Sequence, residues 1–199
     1  MNRIMVAMNK IGVRRVLVSL GIVALIGVAG YAAVIPTIQG AGNIEFSQMF
    51  QGPARFTSRH LITTPGDVGD WHYHPGFVFN VVTAGEIVVE DGCGGEQAFR
   101  ANDAFEVMDG RVHRAINRGT EDAVEYNMFV NPAGTPLTVF TGPVGSRPRR
   151  CGPPRNVEEC RESWAMFDFP QTFNNQGDCV NYVRHRPQVV LTVPDNAPF

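Results

Sequence analysis

Beyond residue 36 the chain contains no lysine, and before residue 37 it contains no acid. The first 36 residues carry Arg3, Lys10, Arg14 and Arg15, whereas the remainder sets thirteen arginines against nineteen acids. A net acidic body is a poor candidate for nucleic acid, because phosphate neutralisation by a basic surface dominates that affinity, so no nucleic-acid partner is expected. The local cluster Arg147, Arg149 and Arg150 is accounted for by a solvated loop. CxxC spacing is also missing, which argues against a thiolate zinc site or a dithiol redox motif. Internal repeats are absent, and between residues 37 and 141 no stretch keeps a helical period beyond two turns. What remains, at 44% hydrophobic and 18% charged over 199 residues, is the composition of one globular domain with length left for a tail.

Residues 16–36, VLVSLGIVALIGVAGYAAVIP, carry no charge and as a helix are long enough to cross roughly 30 Å of hydrocarbon. All the positive charge of the leader precedes this run, so the positive-inside rule keeps the N-terminus in the cytoplasm and sends the rest out. Residues 1–36 are therefore expected to be one N-terminal transmembrane or signal helix. Retained, it anchors the domain to the membrane; cleaved, for which Gly30-Tyr31-Ala32 offers a small-x-small site, it leaves a secreted protein. The four cysteines, Cys93, Cys151, Cys160 and Cys179, all follow the leader, and an even number in an exported domain suggests disulfides, with three pairings open.

Residues 37–54 read as a Gly- and Ala-containing spacer. From 55 to 141, short runs rich in Val, Phe, Ile and Thr alternate with turn clusters: Arg55–Thr64, Trp71–His74, Phe77–Thr83, Glu86–Glu90, Gln97–Arg100, Ala104–Met108, Val112–Ile116, Ala123–Val130 and Leu137–Thr141. Pro65-Gly66, Pro75-Gly76, Asp91-Gly92, Asn102-Asp103 and Asp109-Gly110 are among the breaks. Many short strands at close spacing predict an all-β sandwich or barrel. Residues 142–156, dense in Gly, Pro and Arg, form a linker or covering loop that opens a C-terminal tail over 142–199, with one more strand expected at Gln188–Val193.

Within this pattern Trp71-His72-Tyr73-His74 carries chemistry. In an extended strand, side chains two apart share a face, so His72 and His74 can hold one ion, and neutral imidazole is the commonest protein ligand for zinc, iron, copper and nickel. If the sheet curls, His113 on a later strand returns beside them. Trp71, Tyr73, Phe77 and Phe79 surround the pair; Trp71, Tyr73 and Phe79 are candidates to line an apolar pocket for a small ligand, and barrel packing accounts equally well for each. Arg111 and Arg114 flank His113 and offer either a carboxylate clamp or plain solvent exposure.

These residues resemble the two motifs of the cupin superfamily. The first is a glycine, His-x-His, an acid three or four residues on, and a closing glycine: His72, His74 and Gly85 match, and Val78 or Phe79 stands where the acid belongs. The second ends Gly-x-x-His-x-x-x-Asn, matched by Gly110, His113 and Asn117; Asp103 keeps its acidic turn residue, while Asn102 and Met108 replace its opening glycine and its proline. The likeness covers roughly residues 55–140. Among cupins the chain resembles the small exported bacterial single-domain type, with His74-Pro75-Gly76, Cys93 in the next hairpin and Asn117-Arg118-Gly119.

The resemblance implies a cupin-type jelly-roll β-barrel with a divalent metal ion (iron, manganese, zinc, nickel or copper) held by His72, His74 and His113 near its wider mouth. It further implies either an oxidoreductase or isomerase acting on a small molecule, or a non-catalytic ligand-binding or sensing module, and leaves a homodimer open. Glu86, Glu90 and Glu106 are read as solvated or rim positions, not substitutes for the missing acid. The tail, with Cys160, Trp164, Phe173, Asn175, Gln176, Gly177, Asp178, Cys179 and Val180, resembles a recurring disulfide-stapled module of exported bacterial proteins. That likeness implies a Cys160–Cys179 bond and, with it, a Cys93–Cys151 bond.

Overall fold

The structure is a computed structural model in which residues 34–107, 110–143 and 147–185 are described. The chain divides into Met1–Tyr31 and Ala32–Phe199, and all described residues belong to the second unit. The expected N-terminal helix, apart from its last three residues, and the strand expected at Gln188–Val193 lie outside the described residues. Among those described, no helix is long and apolar enough to cross a membrane.

Among the described residues, ten strands form two five-stranded antiparallel sheets. The first holds β1 (Val34–Ser47), β2 (Gly52–Thr63), β9 (Ala123–Pro132), β4 (Phe77–Ala84) and β7 (Ala104–Val107), in that spatial order. The second holds β10 (Val139–Phe140), β3 (His72–Tyr73), β8 (His113–Ile116), β5 (Glu86–Asp91) and β6 (Glu96–Arg100). This is the all-β jelly roll expected, with one difference: the hydrogen bonding forms two separate sheets and does not run round as one closed barrel.

Nine of the strands coincide with the nine apolar runs. The tenth, β1, occupies residues 34–47, most of the stretch that reads as a spacer and the last three residues of the uncharged leader run. Its sequence, VIPTIQGAGNIEFS, shows no alternation because nearly every position is exposed; β2 supplies its register, pairing Val34 with Thr63 through Ser47 with Gly52.

The breaks between runs have steric reasons. Gly85, between β4 and β5, has φ +68°, and a Cβ there would lie 2.4 Å from the Asp122 carbonyl oxygen, so only glycine closes this turn. At Gly92 a Cβ would meet the Arg150 carbonyl oxygen at 1.9 Å, which lets the β5–β6 hairpin lie directly on the strand of chain bearing Cys151. Asn117, fully buried, fastens the end of β8. Its amide donates to Thr63 O (2.7 Å) and Glu121 O (2.8 Å), and its Oδ1 accepts from the Gly119 amide (2.8 Å).

Both expected disulfides form, Cys93–Cys151 and Cys160–Cys179. The tail is helical where it is regular: α1 (Val157–Ser163), a 3-10 turn (Trp164–Met166) and α2 (Gln176–His185). Asn156 caps α1 by accepting from the Glu159 amide, and Asn175 Oδ1 accepts from the Asp178 amide at the start of α2. Cys151, Cys160, Phe167, Phe173 and Cys179 make a small core of their own. Arg111 joins it to the sheets: buried to 7% exposure, it donates to Asp91 (2.9 Å), Pro153 O (3.1 Å) and Glu159 (3.4 Å). The clamp expected of Arg111 is thus internal, and solvent exposure does not describe it.

Candidate metal centre

His72 lies on β3, His74 follows that strand directly, and His113 opens β8 as the cross-strand partner of His72. Directly paired antiparallel residues point to the same face, and the His72/His74 alternation adds a third imidazole there. One ring nitrogen from each lies within 4.8 Å of the other two, and the ring centroids are 4.4–5.1 Å apart. The amide of Gly110, in the closing Gly-x-x-His part of the second motif, donates to His74 O at 2.9 Å and ties that motif to the first.

Each imidazole is oriented by a backbone carbonyl. Nδ1 of His72 donates to Asp70 O (2.7 Å), that of His74 to Leu137 O (2.5 Å) and that of His113 to Arg111 O (2.9 Å). A carbonyl can only accept, so each Nδ1 carries the proton and, in the neutral ring, each Nε2 keeps a lone pair. The rings are held neutral. Burial drives His72 down to about 3, with His113 and the nearby arginines Arg59 and Arg147 adding to the effect. Burial likewise holds His74 well below the usual range, reinforced by the other two imidazoles, and lowers His113. Three neutral nitrogen donors, each fixed in tautomer by a second bond, suit a borderline divalent ion such as zinc, iron, nickel or copper. The donor set therefore fits the group that the sequence implies.

Strand alternation settles which residue occupies the place of the missing acid. On β4, Val78 is 1% exposed and faces inward with Val107 and Phe129, whereas Phe79 is 39% exposed and faces out. The interior position is Val78, and a hydrocarbon stands there.

The histidines line a cavity of about 400 Å³ whose far lining comes from β2, β4 and β9. Arg59, Asn80, Glu125 and Asn127 project into it. Arg59 Nε donates to Asn127 Oδ1 (2.9 Å), while the Asn127 amide donates to Asn80 Oδ1 (2.8 Å) and Glu125 Oε2 (3.4 Å). Glu125 is 3% exposed, and its Oε1 has no hydrogen-bond partner among the described residues. Burial pushes its carboxyl up to about 7 against the pull of Arg59, while burial lowers Arg59 to about 10.

Sequence reasoning passed over Arg59 and Glu125. On β9 the inward set is Ala123, Glu125, Asn127, Phe129 and Asn131, and the more apolar set, Val124, Tyr126, Met128 and Val130, faces away from the interior. The available signal was that same alternation, with polar side chains recurring every second residue on a strand that must be buried on one face.

The aromatic residues expected to line the pocket do not. Trp71 and Tyr73 alternate with the histidines and so point away, into a cluster with Val112 and Val139. The guanidinium groups of Arg114 (4.6 Å) and Arg149 (5.7 Å) lie over the Trp71 ring, and Tyr73 packs on Phe169. Phe79 faces out. The aromatic side chains that do line the cavity are Phe105 and Phe140. Glu86 and Glu90 are engaged by Arg100 and by Arg114 and Arg118, as rim positions.

Several solved structures resemble the chain at low identity. An uncharacterized conserved protein with a double-stranded β-helix domain from Klebsiella pneumoniae is 20% identical, covering 54% of this chain and 84% of its own, with a TM-score of 0.42. A cupin-like protein from Thermotoga maritima is 17% identical, covering 58% and 80%, with a TM-score of 0.45. A cupin domain from Bordetella pertussis is 20% identical, covering 50% and 95%, with a TM-score of 0.39. No curated protein matches. The family model described as "Cupin domain" matches residues 59–130, a span that begins within β2, ends within β9 and takes in all three histidines. That match identifies residues 59–130 as a cupin domain.

Proposed function

We propose that this is an extracytoplasmic, metal-dependent cupin enzyme of oxidoreductase or isomerase type, with His72, His74 and His113 as ligands of one divalent ion and a small molecule as substrate. The observation that carries the reading is the set of three Nδ1-to-carbonyl bonds, which leave three neutral Nε2 lone pairs at one place in a cavity. When bound, such an ion supplies Lewis acidity and an open position for substrate. The chain's own residues would orient the substrate and move its proton: Glu125, raised to about 7, can hold or release a proton at Oε1 near neutral pH.

A second reading is a non-catalytic binding or sensing module, favoured by the largely hydrocarbon lining from Leu61, Val89, Phe105, Val107 and Phe140. Export is supported by the two disulfides, and membrane attachment through residues 1–36 by their charge pattern. A homodimer is part of the proposal as its simplest assembly.

Metal analysis of the full chain tests the first reading. One equivalent of a divalent ion is expected in the wild type, and its loss is expected in each of His72→Ala, His74→Ala and His113→Ala, with the β circular dichroism unchanged. No stoichiometric metal in the wild type, with all three variants behaving like it, refutes the metal reading and leaves the binder. Turnover of a small molecule that disappears in Glu125→Gln separates the enzyme from the binder.

A further inference from the structure

The histidines account for only one side of the cavity. On the other, Arg59 makes a single hydrogen bond among the described residues, from Nε, so its two terminal amino groups are uncommitted. Its guanidinium sits 4.7 Å over the Phe129 ring. Glu125 Oε1 is buried and unpartnered in the same cavity, and a carboxylate oxygen left so carries a desolvation cost that a donor from a ligand would remove. The other lining acid, Asp70, is already paired with Arg147. The rest of the lining is mostly apolar, with Leu61, Phe105, Val107 and Phe140.

From this juxtaposition we infer that Arg59 and Glu125 form a recognition subsite for a small 2-hydroxy carboxylate with an apolar body. The carboxylate accepts from the Arg59 amino groups, the hydroxyl donates to Glu125 Oε1, and the apolar body rests on the hydrocarbon lining. The inference rests on the reading of this cavity as the small-molecule site. A guanidinium fork matches a carboxylate in both charge and plane, which a neutral alcohol cannot use. An acceptor oxygen left without a donor discriminates strongly against an analogue that lacks the hydroxyl. Asn127 is a positioning residue, because it fixes Arg59 and Glu125 together through its Oδ1 and its amide.

Mandelate is the probe, with phenylacetate (no hydroxyl) and 1-phenylethanol (no carboxylate) as controls, each titrated calorimetrically into the full chain with and without added metal. Mandelate is expected to bind at least about tenfold tighter than either control, as one charge-assisted or one rescued hydrogen bond implies. Arg59→Gln brings mandelate down to the level of the alcohol, and Glu125→Leu brings it down to the level of phenylacetate. Should Glu125→Leu fail to fold by circular dichroism, Glu125→Gln keeps the shape and narrows the mandelate-to-phenylacetate ratio. Mandelate binding no tighter than the controls, or unchanged in the variants, overturns the subsite. Metal content of the same samples keeps the two ideas apart. A wild type that takes metal but ignores mandelate overturns only the subsite. One that takes no metal but binds mandelate through Arg59 and Glu125 overturns only the metal reading.

Discussion

Acid should unfold the metal-free protein over a narrow window, and the buried titratable groups give the size of the effect. His72 ionises at about 3 in the folded state and near 6.5 in an unfolded chain. Its depressed value means that the unfolded chain binds the proton first, so stability is fully present above pH 6.5 and is lost as pH falls towards 3. By pH 5 this one imidazole costs about 2 kcal/mol relative to neutral pH. Burial holds His74 well below the usual range, with His72 and His113 adding to the effect, and lowers His113 as well, so both add to the loss. Glu125 opposes them. Its raised value, about 7, means that the folded state holds a proton that the unfolded chain gives up, which returns about 2 kcal/mol between pH 6.5 and 5. Near pH 5.5 His72 and Glu125 nearly cancel, so His74 and His113 set the sign: a net proton uptake on unfolding, and a stability that falls as pH falls. Urea unfolding of chelator-treated protein at pH 7, 6 and 5 measures that slope. Glu125→Gln removes the opposing group and should steepen it by close to one proton, whereas His74→Phe should flatten it. A stability that is flat or rising between pH 7 and 5 refutes the picture of three neutral imidazoles held by burial.

Further outcomes follow from the geometry. Val78→Glu places a carboxyl at the interior position, so it should tighten metal binding while destabilising the metal-free protein by about 2–4 kcal/mol; Phe79→Glu, which faces out, should change neither by more than about 0.5 kcal/mol, as metal titration and denaturant melts would register. Asn117→Ala strands the Thr63 and Glu121 carbonyls and the Gly119 amide, and should cost about 2–4 kcal/mol in chemical denaturation without changing metal stoichiometry. Replacing Cys160 and Cys179 with serine opens a loop of 19 residues and should cost about 3 kcal/mol; the 58-residue Cys93–Cys151 loop should cost about 4 kcal/mol, and equal losses in urea would count against a chain-entropy origin.

What the sequence made legible was what depends on local spacing. The nine apolar runs became strands because turn residues break the chain between them, glycine at Gly85 and Asn102 with its positive φ between β6 and β7, and the His-x-His pair met His113 because alternation and strand pairing are rules of the backbone. β1 was not legible, since an edge strand exposed along nearly its whole length needs no hydrophobic pattern and takes its register from β2. The pocket aromatics failed for the reason the histidines succeeded: in a period of two, Trp71 and Tyr73 cannot share a face with His72 and His74.

The hidden half of the site follows from the same rule applied to β9. There, Val124, Tyr126, Met128 and Val130 look like the buried face, and Glu125, Asn127 and Asn131 look like the wet one. The structure turns this round, with Tyr126 43% exposed beside His60 while Glu125 and Asn127 are 3% and 1% exposed. A packed core would not tolerate that inversion, because burying a carboxyl without a partner for Oε1 costs free energy that no contact nearby returns. It is tolerable only where the interior is a cavity, open to water or to a ligand that supplies the missing donor. The polar face of β9 and the three histidines are thus two consequences of one architectural fact. The two sheets do not close on each other with side chains alone, and the cavity left between them is lined by nitrogen lone pairs on one side and by a guanidinium and a carboxyl on the other.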